Sequence, residues 1–152
     1  MPLMIALLAA AAAHAAQAAP KGPAPPQRAS ADDCAIFAAV GRAQLNWGAA
    51  PPIYALSPTW KRDGGRTYVQ DCPWTRLGLA RPAIAGSASD LSFYFTPPVY
   101  DGPRRRAVVQ LSTSVKSDTA QPLFFMALKA CRLERKGAAA WRLVRCEDVA
   151  AS

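Results

Sequence analysis

The chain of 152 residues is nearly without histidine. Its one histidine, His14, lies in the apolar segment that opens the chain, and we expect that segment to be removed as a signal peptide. A mature chain without imidazole lacks the usual general base and the commonest metal ligand of proteins. Ser-His and Cys-His nucleophilic mechanisms are therefore excluded. The composition argues against an enzyme and predicts no catalytic residue, no metal and no cofactor.

Long apolar runs are scarce, and the first 20 residues contain no charged side chain. The longest apolar run covers residues 3–13, which is shorter than the ~20 residues that a membrane-spanning helix needs. Small residues in an A-x-A pattern follow it, as at a signal-peptidase site, although no Lys or Arg precedes it. We predict a signal peptide over residues 1–18, no transmembrane segment after its cleavage, and a periplasmic or secreted protein.

The close cysteine spacing C-x-x-C is absent. Thiol-redox proteins and zinc ribbons depend on that spacing to bring two sulfurs together, so both classes are disfavoured. The four cysteines, Cys34, Cys72, Cys131 and Cys146, instead predict two structural disulfides, because oxidation is the rule outside the cytoplasm. Three pairings are possible. If the last two strands oppose Cys131 and Cys146, their β-carbons lie about 5 Å apart and a bond forms easily, which leaves Cys34 to join Cys72.

Large apolar residues are missing from residues 19–31, a Pro-rich stretch that we predict to be a flexible tether. The remaining residues, 32–152, suit a single domain.

The chain carries a formal net charge of +8 and has a pI near 9.8, which suits adhesion to anionic surfaces and polymers. No recognised DNA- or RNA-binding motif is present, so a nucleic-acid partner is disfavoured.

One helix is predicted near the start of the domain. Ser30, Asp32 and Asp33 are N-cap residue types that stand just ahead of the segment CAIFAAVGRAQLNW, whose apolar residues fall near helical spacing. We predict a helix over residues 32–46, ended by Gly48 and the two prolines that follow it.

The rest of the domain has the patterns of strands. PIYAL and RTYVQ predict two short strands around an Asp-Gly-Gly turn, and CPWTRLGL predicts a single helical turn. Four further strands are predicted from LSFYFT, RRRAVVQLSTSV, LFFMALKACRLE and WRLVRCE, the third being central because both its faces are apolar. The predicted fold class is α+β: an N-terminal helix packed on an antiparallel meander sheet of four or more strands, with two disulfides.

Arginines become frequent toward the C-terminus. If the last two strands are aligned so that Cys131 lies opposite Cys146, then Arg132 lies opposite Arg145 and Arg135 lies opposite Arg142. Like charges directly opposed across strands destabilise a sheet. Either an anion lies there, the register is bulged, or the long side chains splay into water. The candidate anion-binding residues are Arg104, Arg105, Arg106, Arg132 and Arg145.

Two tryptophans are candidate ligand contacts. Trp60 and Trp74 stand in loop-like contexts, although tryptophans more often fill a core. A hydrolase would need converging carboxylates or an activated serine, and Ser112 and Ser114 are predicted on one exposed strand face. The available carboxylates are Asp63, Asp71, Asp90, Asp101, Asp118, Glu134, Glu147 and Asp148.

The stretches SFYFTPPVYDGPRRRAVVQLS and LKACRLERKGAAAWRLVRC resemble the C-terminal halves of small exported bacterial proteins. In those proteins an F-x-x-P-x-Y/F turn leads to A-x-V-x-V and then to G-x-W-x-V/L. The resemblance implies a helix on a curved antiparallel sheet, as in nuclear transport factor 2-like or cystatin-like folds. Here GAAAW stands where a single glycine often precedes the tryptophan. The resemblance covers residues 91–146 and implies no activity or functional residue.

We therefore expect a non-catalytic binding or interaction module with a basic face, whose partner is an anionic envelope component or another protein. One alternative is a secreted hydrolase that uses carboxylates or a serine, and another is a secreted inhibitor of a foreign enzyme. A deep pocket with two converging carboxylates would favour the hydrolase. A protruding ordered loop over residues 47–66 would favour the inhibitor.

Overall fold

The computed structural model describes residues 22–62, 64–86, 90–116 and 124–151. The predicted signal peptide lies outside these residues. One α-helix and one turn of 3-10 helix accompany nine strands in the described ranges. The helix α1 is Ala31–Leu45, the 3-10 turn is Trp74–Leu77, and the strands are β1 (Gln27–Arg28), β2 (Ala55–Leu56), β3 (Thr59–Lys61), β4 (Thr67–Val69), β5 (Leu91–Phe95), β6 (Val99–Tyr100), β7 (Arg106–Lys116), β8 (Phe124–Glu134) and β9 (Arg142–Ala151).

Helix α1 begins at a capping box. The Ser30 side chain accepts a hydrogen bond from the Asp33 backbone N–H at 3.1 Å, and the Asp33 carboxylate accepts one from the Ser30 N–H at 2.9 Å. The helix ends at Asn46, whose left-handed backbone (φ 49°) stops it two residues before Gly48. The predicted helix is confirmed to within one residue at each end.

The helix is not the first element, because part of the predicted tether is paired. Gln27 and Arg28 form β1 and run parallel to β4, and the Ala29 N–H donates to the Val69 carbonyl at 2.9 Å. Residues 22–26 are exposed and belong to no helix or strand. Of the stretch predicted as a tether, Gln27 and Arg28 therefore belong to a small sheet, Ser30 caps α1, and Ala31 is the first residue of that helix.

The main sheet has six strands. Five of them follow the order β2-β5-β7-β8-β9, and the sixth, β6, pairs with β7. Strands β5, β7, β8 and β9 form the predicted antiparallel core with β8 in an interior position. The prediction of a purely antiparallel meander is wrong at β2, which runs parallel to β5. Parallel pairing is possible because the long segment between these two strands leaves the sheet and returns.

That segment forms most of a second, three-stranded sheet in the order β1-β4-β3. The predicted strands in PIYAL and RTYVQ exist as β2 and β4, but they do not pair with each other. Strand β4 instead forms a hairpin with β3, in which Trp60 lies opposite Tyr68. Both residues of β2 are buried, so this strand belongs to the core and not to an exposed hairpin.

The core lies between α1 and the inner face of the main sheet. Phe37 of the helix stacks on Phe95 of β5 with ring centroids 4.6 Å apart. Trp47 packs against Trp74 at 4.7 Å, and its indole N–H donates to the Ala80 carbonyl at 2.7 Å. Trp74 is 7% exposed and belongs to the core, where it lies in the predicted helical turn and not in an open loop. Burying each such side chain stabilises the fold by about 1.5–3 kcal/mol.

Two disulfides join these elements, in the pairing expected from the sequence. Cys34 of α1 bonds to Cys72, just before the 3-10 turn, with Cα atoms 5.6 Å apart. Cys131 of β8 bonds to Cys146 of β9, with Cα atoms 4.0 Å apart. Among the described residues, no helix is long and apolar enough to cross a membrane.

Candidate anion-binding face

Strands β7, β8 and β9 have an inner face toward α1 and an outer face away from it. Side chains alternate between the faces, so buried Val109, Leu111 and Cys131 point inward. The opposite face, which we call the outer face, has Arg106 and Val108 on β7. Its other cationic members on the two neighbouring strands are Arg132, Arg142 and Arg145.

The register of the last hairpin brings Arg132 directly opposite Arg145, as predicted. A shift between Arg132 and Leu133 then changes the pairing, and Glu134 faces Arg142. The predicted Arg135–Arg142 pair is therefore wrong. The bulge replaces one like-charge pair by an exposed ion pair between Arg142 and Glu134, which favours this register modestly.

The bulge also leaves one apolar side chain exposed to solvent. Val144 is left unpaired in the ladder and is 55% exposed. Together with Arg106, Val108 and Arg132, it lines a shallow concavity of about 300 Å³. The outer face thus combines arginines with apolar side chains that no described residue covers.

The ion pairs leave this face with an excess of positive charge. Arg145 lies 3.3 Å from Glu147, and the hydrogen bond from Arg142 holds the pKa of the Glu134 carboxyl below its usual range. Four arginines on the face are thus matched by two glutamates. Within the described ranges, the Arg106 and Arg132 side chains have no ion-pair or hydrogen-bond partner.

Arg104 does not join the other predicted anion-binding residues. Its backbone is left-handed (φ 55°), its guanidinium lies 3.9 Å from the centroid of the Tyr100 ring, and it pairs with Asp32 at 3.5 Å. Arg105 is exposed beside it in a turn that the Asp101 carboxylate caps. That carboxylate accepts the backbone N–H groups of Arg106 and Arg105, which hold the pKa of Asp101 below its usual range. The structure therefore brings together Arg106, Arg132 and Arg145 of the five.

Arg104 is drawn into a cluster at the start of α1. The buried Asp33 carboxylate accepts hydrogen bonds from the hydroxyls of Tyr68, at 2.8 Å, and Tyr100. Burial first, and then these bonds, raise the pKa of both phenols far above their ordinary value. Asp32 pairs with Arg135 at 2.8 Å. Both carboxylates are thus satisfied, and the cluster ties the helix to β4, β6 and the last hairpin.

Sequence reasoning identified these two aspartates only as cap residues. Nothing in local spacing links Asp33 to Tyr68 and Tyr100, which lie 35 and 67 residues further along the chain. The alternation of polar and apolar residues could not reveal the contact either, because it depends on how the small sheet packs against the helix.

A second concavity, which we call the Trp60 groove, adjoins the arginines of the outer face. It has a volume of about 460 Å³, and Val108 lines both concavities. Trp60 lies half-buried in its wall on β3, so this predicted ligand-contact residue is in a strand and not in a loop. The groove also contains two exposed arginines that the sequence analysis missed, Arg62 and Arg66. Their only signal was their position on either side of the predicted Asp-Gly-Gly turn.

The residues proposed for a hydrolase take other positions. Asp71 pairs with Arg28 at 2.9 Å and Asp148 with Lys129 at 3.0 Å, while Asp63 and Asp118 lie outside the described residues. The described chain holds no group of three or more His, Cys, Asp or Glu residues that could bind a metal.

The predicted exposed serine face is only half correct. Ser114 is partly exposed and hydrogen-bonds to Ser92 at 2.7 Å. Ser112 is 1% exposed, and its hydroxyl has no hydrogen-bond partner within the described chain. Its cross-strand neighbours Tyr94 and Leu128 flank it on both sides, and side chains of that size at this spacing cover a serine.

Comparison of the chain with protein-family models, with curated proteins and with solved structures finds no match. The assignment of a function therefore depends on the geometry of the site.

Proposed function

We propose that this chain is a non-catalytic binding module of the periplasm or the extracellular space, and that its outer face binds an anionic polymer. The observation that carries the proposal is the directly opposed pair Arg132 and Arg145, of which Arg132 has no ion-pair partner among the described residues. Such a cluster destabilises the free sheet, and a bound anion would relieve that repulsion.

The location outside the cytoplasm is supported by two structural disulfides and no free cysteine within the described chain. The N-terminal sequence pattern agrees with export. One helix on a mostly antiparallel main sheet is also compatible with the resemblance to small exported bacterial proteins of nuclear transport factor 2-like or cystatin-like fold, which we keep as part of this proposal.

The two alternatives lack a supporting observation. Residues 47–66 contain β2 and β3, which are paired within sheets, so the protruding loop that would favour an inhibitor is not formed by the described part of this segment. The carboxylates of Asp71, Glu134, Glu147 and Asp148 are each held in an ion pair with a basic residue.

The salt dependence of binding tests this proposal. We expect the oxidised protein to bind heparin with an affinity that falls as salt rises, because each arginine that neutralises an anionic group releases counterions. Replacing Arg132 and Arg145 by Gln should weaken binding and lower the slope of log affinity against log salt by about two. The readout is heparin affinity measured by calorimetry over a series of salt concentrations.

The matched control is the double variant Arg76→Gln/Arg81→Gln. It removes the same formal charge from two exposed arginines in and just after the 3-10 turn, neither of which lines the two concavities of the outer face. The control should keep the slope of the wild type. Equal losses in both variants would show that net charge alone drives binding, and absent binding by the wild type would refute the proposal.

A further inference from the structure

We infer that the Trp60 groove is a sugar-binding subsite, and that the polymer bound by the outer face is an acidic polysaccharide. This inference rests on the proposed anion-binding function and names the chemistry of its ligand.

The groove and the arginines of the outer face form one continuous surface. Val108 lines both concavities, and Val99 of β6 lies opposite it in the ladder and is exposed on the same rim. From Arg145 on β9 to Val108 on β7 the surface crosses two strand spacings, which is roughly 10 Å. The groove then continues it to Arg62 in the β3–β4 hairpin. A surface of this length suits a polymer and not a single small anion.

The groove combines three kinds of group. Trp60 offers the flat apolar surface of a partly exposed indole. Arg62 and Arg66 are exposed, and within the described chain neither has an ion-pair partner. Gln110 and Gln27 add amide groups that can donate and accept hydrogen bonds.

An acidic sugar uses all three groups at once. The apolar face of a sugar ring packs on an indole, its hydroxyls bond to amides, and its carboxylate or sulfate pairs with a guanidinium. A polyphosphate has charge but no ring for Trp60, and a neutral glycan leaves both arginines unpaired. Nucleic acid is less well matched, because single strands are bound by several aromatic platforms that stack successive bases, whereas this groove has one partly exposed indole.

Tryptophan fluorescence offers a direct test. Trp47, Trp74 and Trp141 are buried, so Trp60 is the tryptophan that a ligand in the groove would contact. We expect alginate oligomers, which are polyuronates, to change the emission of the wild-type protein. In Trp60→Phe the emission change should vanish, and alginate binding measured by calorimetry should weaken about tenfold.

The arginines of the groove are tested in the same titrations. Arg62→Gln/Arg66→Gln should weaken alginate binding about tenfold, and more than the matched control Arg76→Gln/Arg81→Gln. Polyphosphate of equal charge should bind Trp60→Phe as well as it binds the wild type. The urea midpoint of Trp60→Phe should equal that of the wild type, which separates a binding defect from unfolding.

The outcomes distinguish this inference from the proposed function. If Trp60→Phe binds alginate like the wild type while Arg132→Gln/Arg145→Gln binds weakly, the sugar subsite is wrong and the anion-binding face stands. An equal loss of polyphosphate and alginate binding in Trp60→Phe would overturn the assignment to a sugar. If neither polymer binds the wild type, both proposals fail.

Discussion

The buried carboxylate of Asp33 should contribute more to stability than any other charged group at the start of α1. In Asp33→Ala the hydroxyl of Tyr68, which is 1% exposed, is left without its acceptor. An unsatisfied buried donor costs about 1–3 kcal/mol. The Ser30 N–H also loses its acceptor, which is the carboxylate half of the capping box, and this costs about 1 kcal/mol. Tyr100 is only half-buried, so its hydroxyl can turn to water, and losing its bond costs about 1 kcal/mol.

These terms together predict that Asp33→Ala lowers the free energy of unfolding by about 3–5 kcal/mol. The matched variant Asp32→Ala removes the neighbouring carboxylate and the same charge. Its ion pairs with Arg104 and Arg135 are partly exposed, and its hydrogen bond from the Trp141 indole is long at 3.4 Å, so it should cost only about 1–2 kcal/mol. Urea unfolding of the oxidised proteins, followed by circular dichroism, measures both values.

A double-mutant cycle with Tyr68→Phe isolates the buried bond. Because Tyr68→Phe removes the donor that Asp33→Ala leaves unsatisfied, the two changes should not add, and their coupling should be about 1–3 kcal/mol. Equal losses in Asp33→Ala and Asp32→Ala, or additive losses in the cycle, would refute the role assigned to this carboxylate.

Three further predictions concern stability. The raised pKa of Tyr68 and Tyr100 means that the folded state holds these protons more tightly than the unfolded state. The resulting stability is complete below a pH of about 10 and is lost as the pH rises further, which urea unfolding at increasing pH detects. Gly41→Ala should lower the free energy of unfolding by about 1–3 kcal/mol, because the new Cβ would lie 2.8 Å from the buried Trp47 ring. Gly48→Ala is the control, because a Cβ there would meet open space. Removing the disulfide of α1, which closes a loop of 38 residues, should lower the free energy of unfolding by about 4 kcal/mol. Removing the hairpin disulfide, which closes a loop of 15 residues, should lower it by about 3 kcal/mol. Urea unfolding measures both values.

Each of these predictions has an outcome that contradicts it. A free energy of unfolding that stays constant or rises above pH 10 would contradict the buried phenols. A stabilising Gly41→Ala, as expected from helix propensity alone, would show that Trp47 does not pack against the helix as described. A larger loss from the hairpin disulfide than from the disulfide of α1 would contradict the loop-length argument.

Local signals explain which parts of the fold could be predicted from the sequence. The capping box of Ser30 and Asp33 lies within four residues, and the strand alternation of Phe93 and Phe95 is equally local. The hairpin disulfide followed from the register of two neighbouring strands. In each case the deciding interaction lies close in sequence.

The parts that were not predicted depend on distant contacts. The parallel pairing of β2 with β5 joins residues 37 positions apart, as in Ala55 and Ser92, and no local pattern encodes it. The bulge at Arg132 was one of three options, and charge pairing between Glu134 and Arg142 could have selected it. The Trp60 groove exists only because the small sheet stands beside β7, which explains why Arg62 and Arg66 were missed.

The most direct test of the anion-binding face is to map where an acidic oligosaccharide binds. We predict that adding alginate oligomers to the isotopically labelled, oxidised protein shifts amide resonances on β7, β8, β9 and the β3–β4 hairpin, and leaves those of α1 and the 3-10 turn unchanged. Shifts that concentrate on α1 and the 3-10 turn, or no shifts at a concentration that saturates heparin binding, would contradict the account.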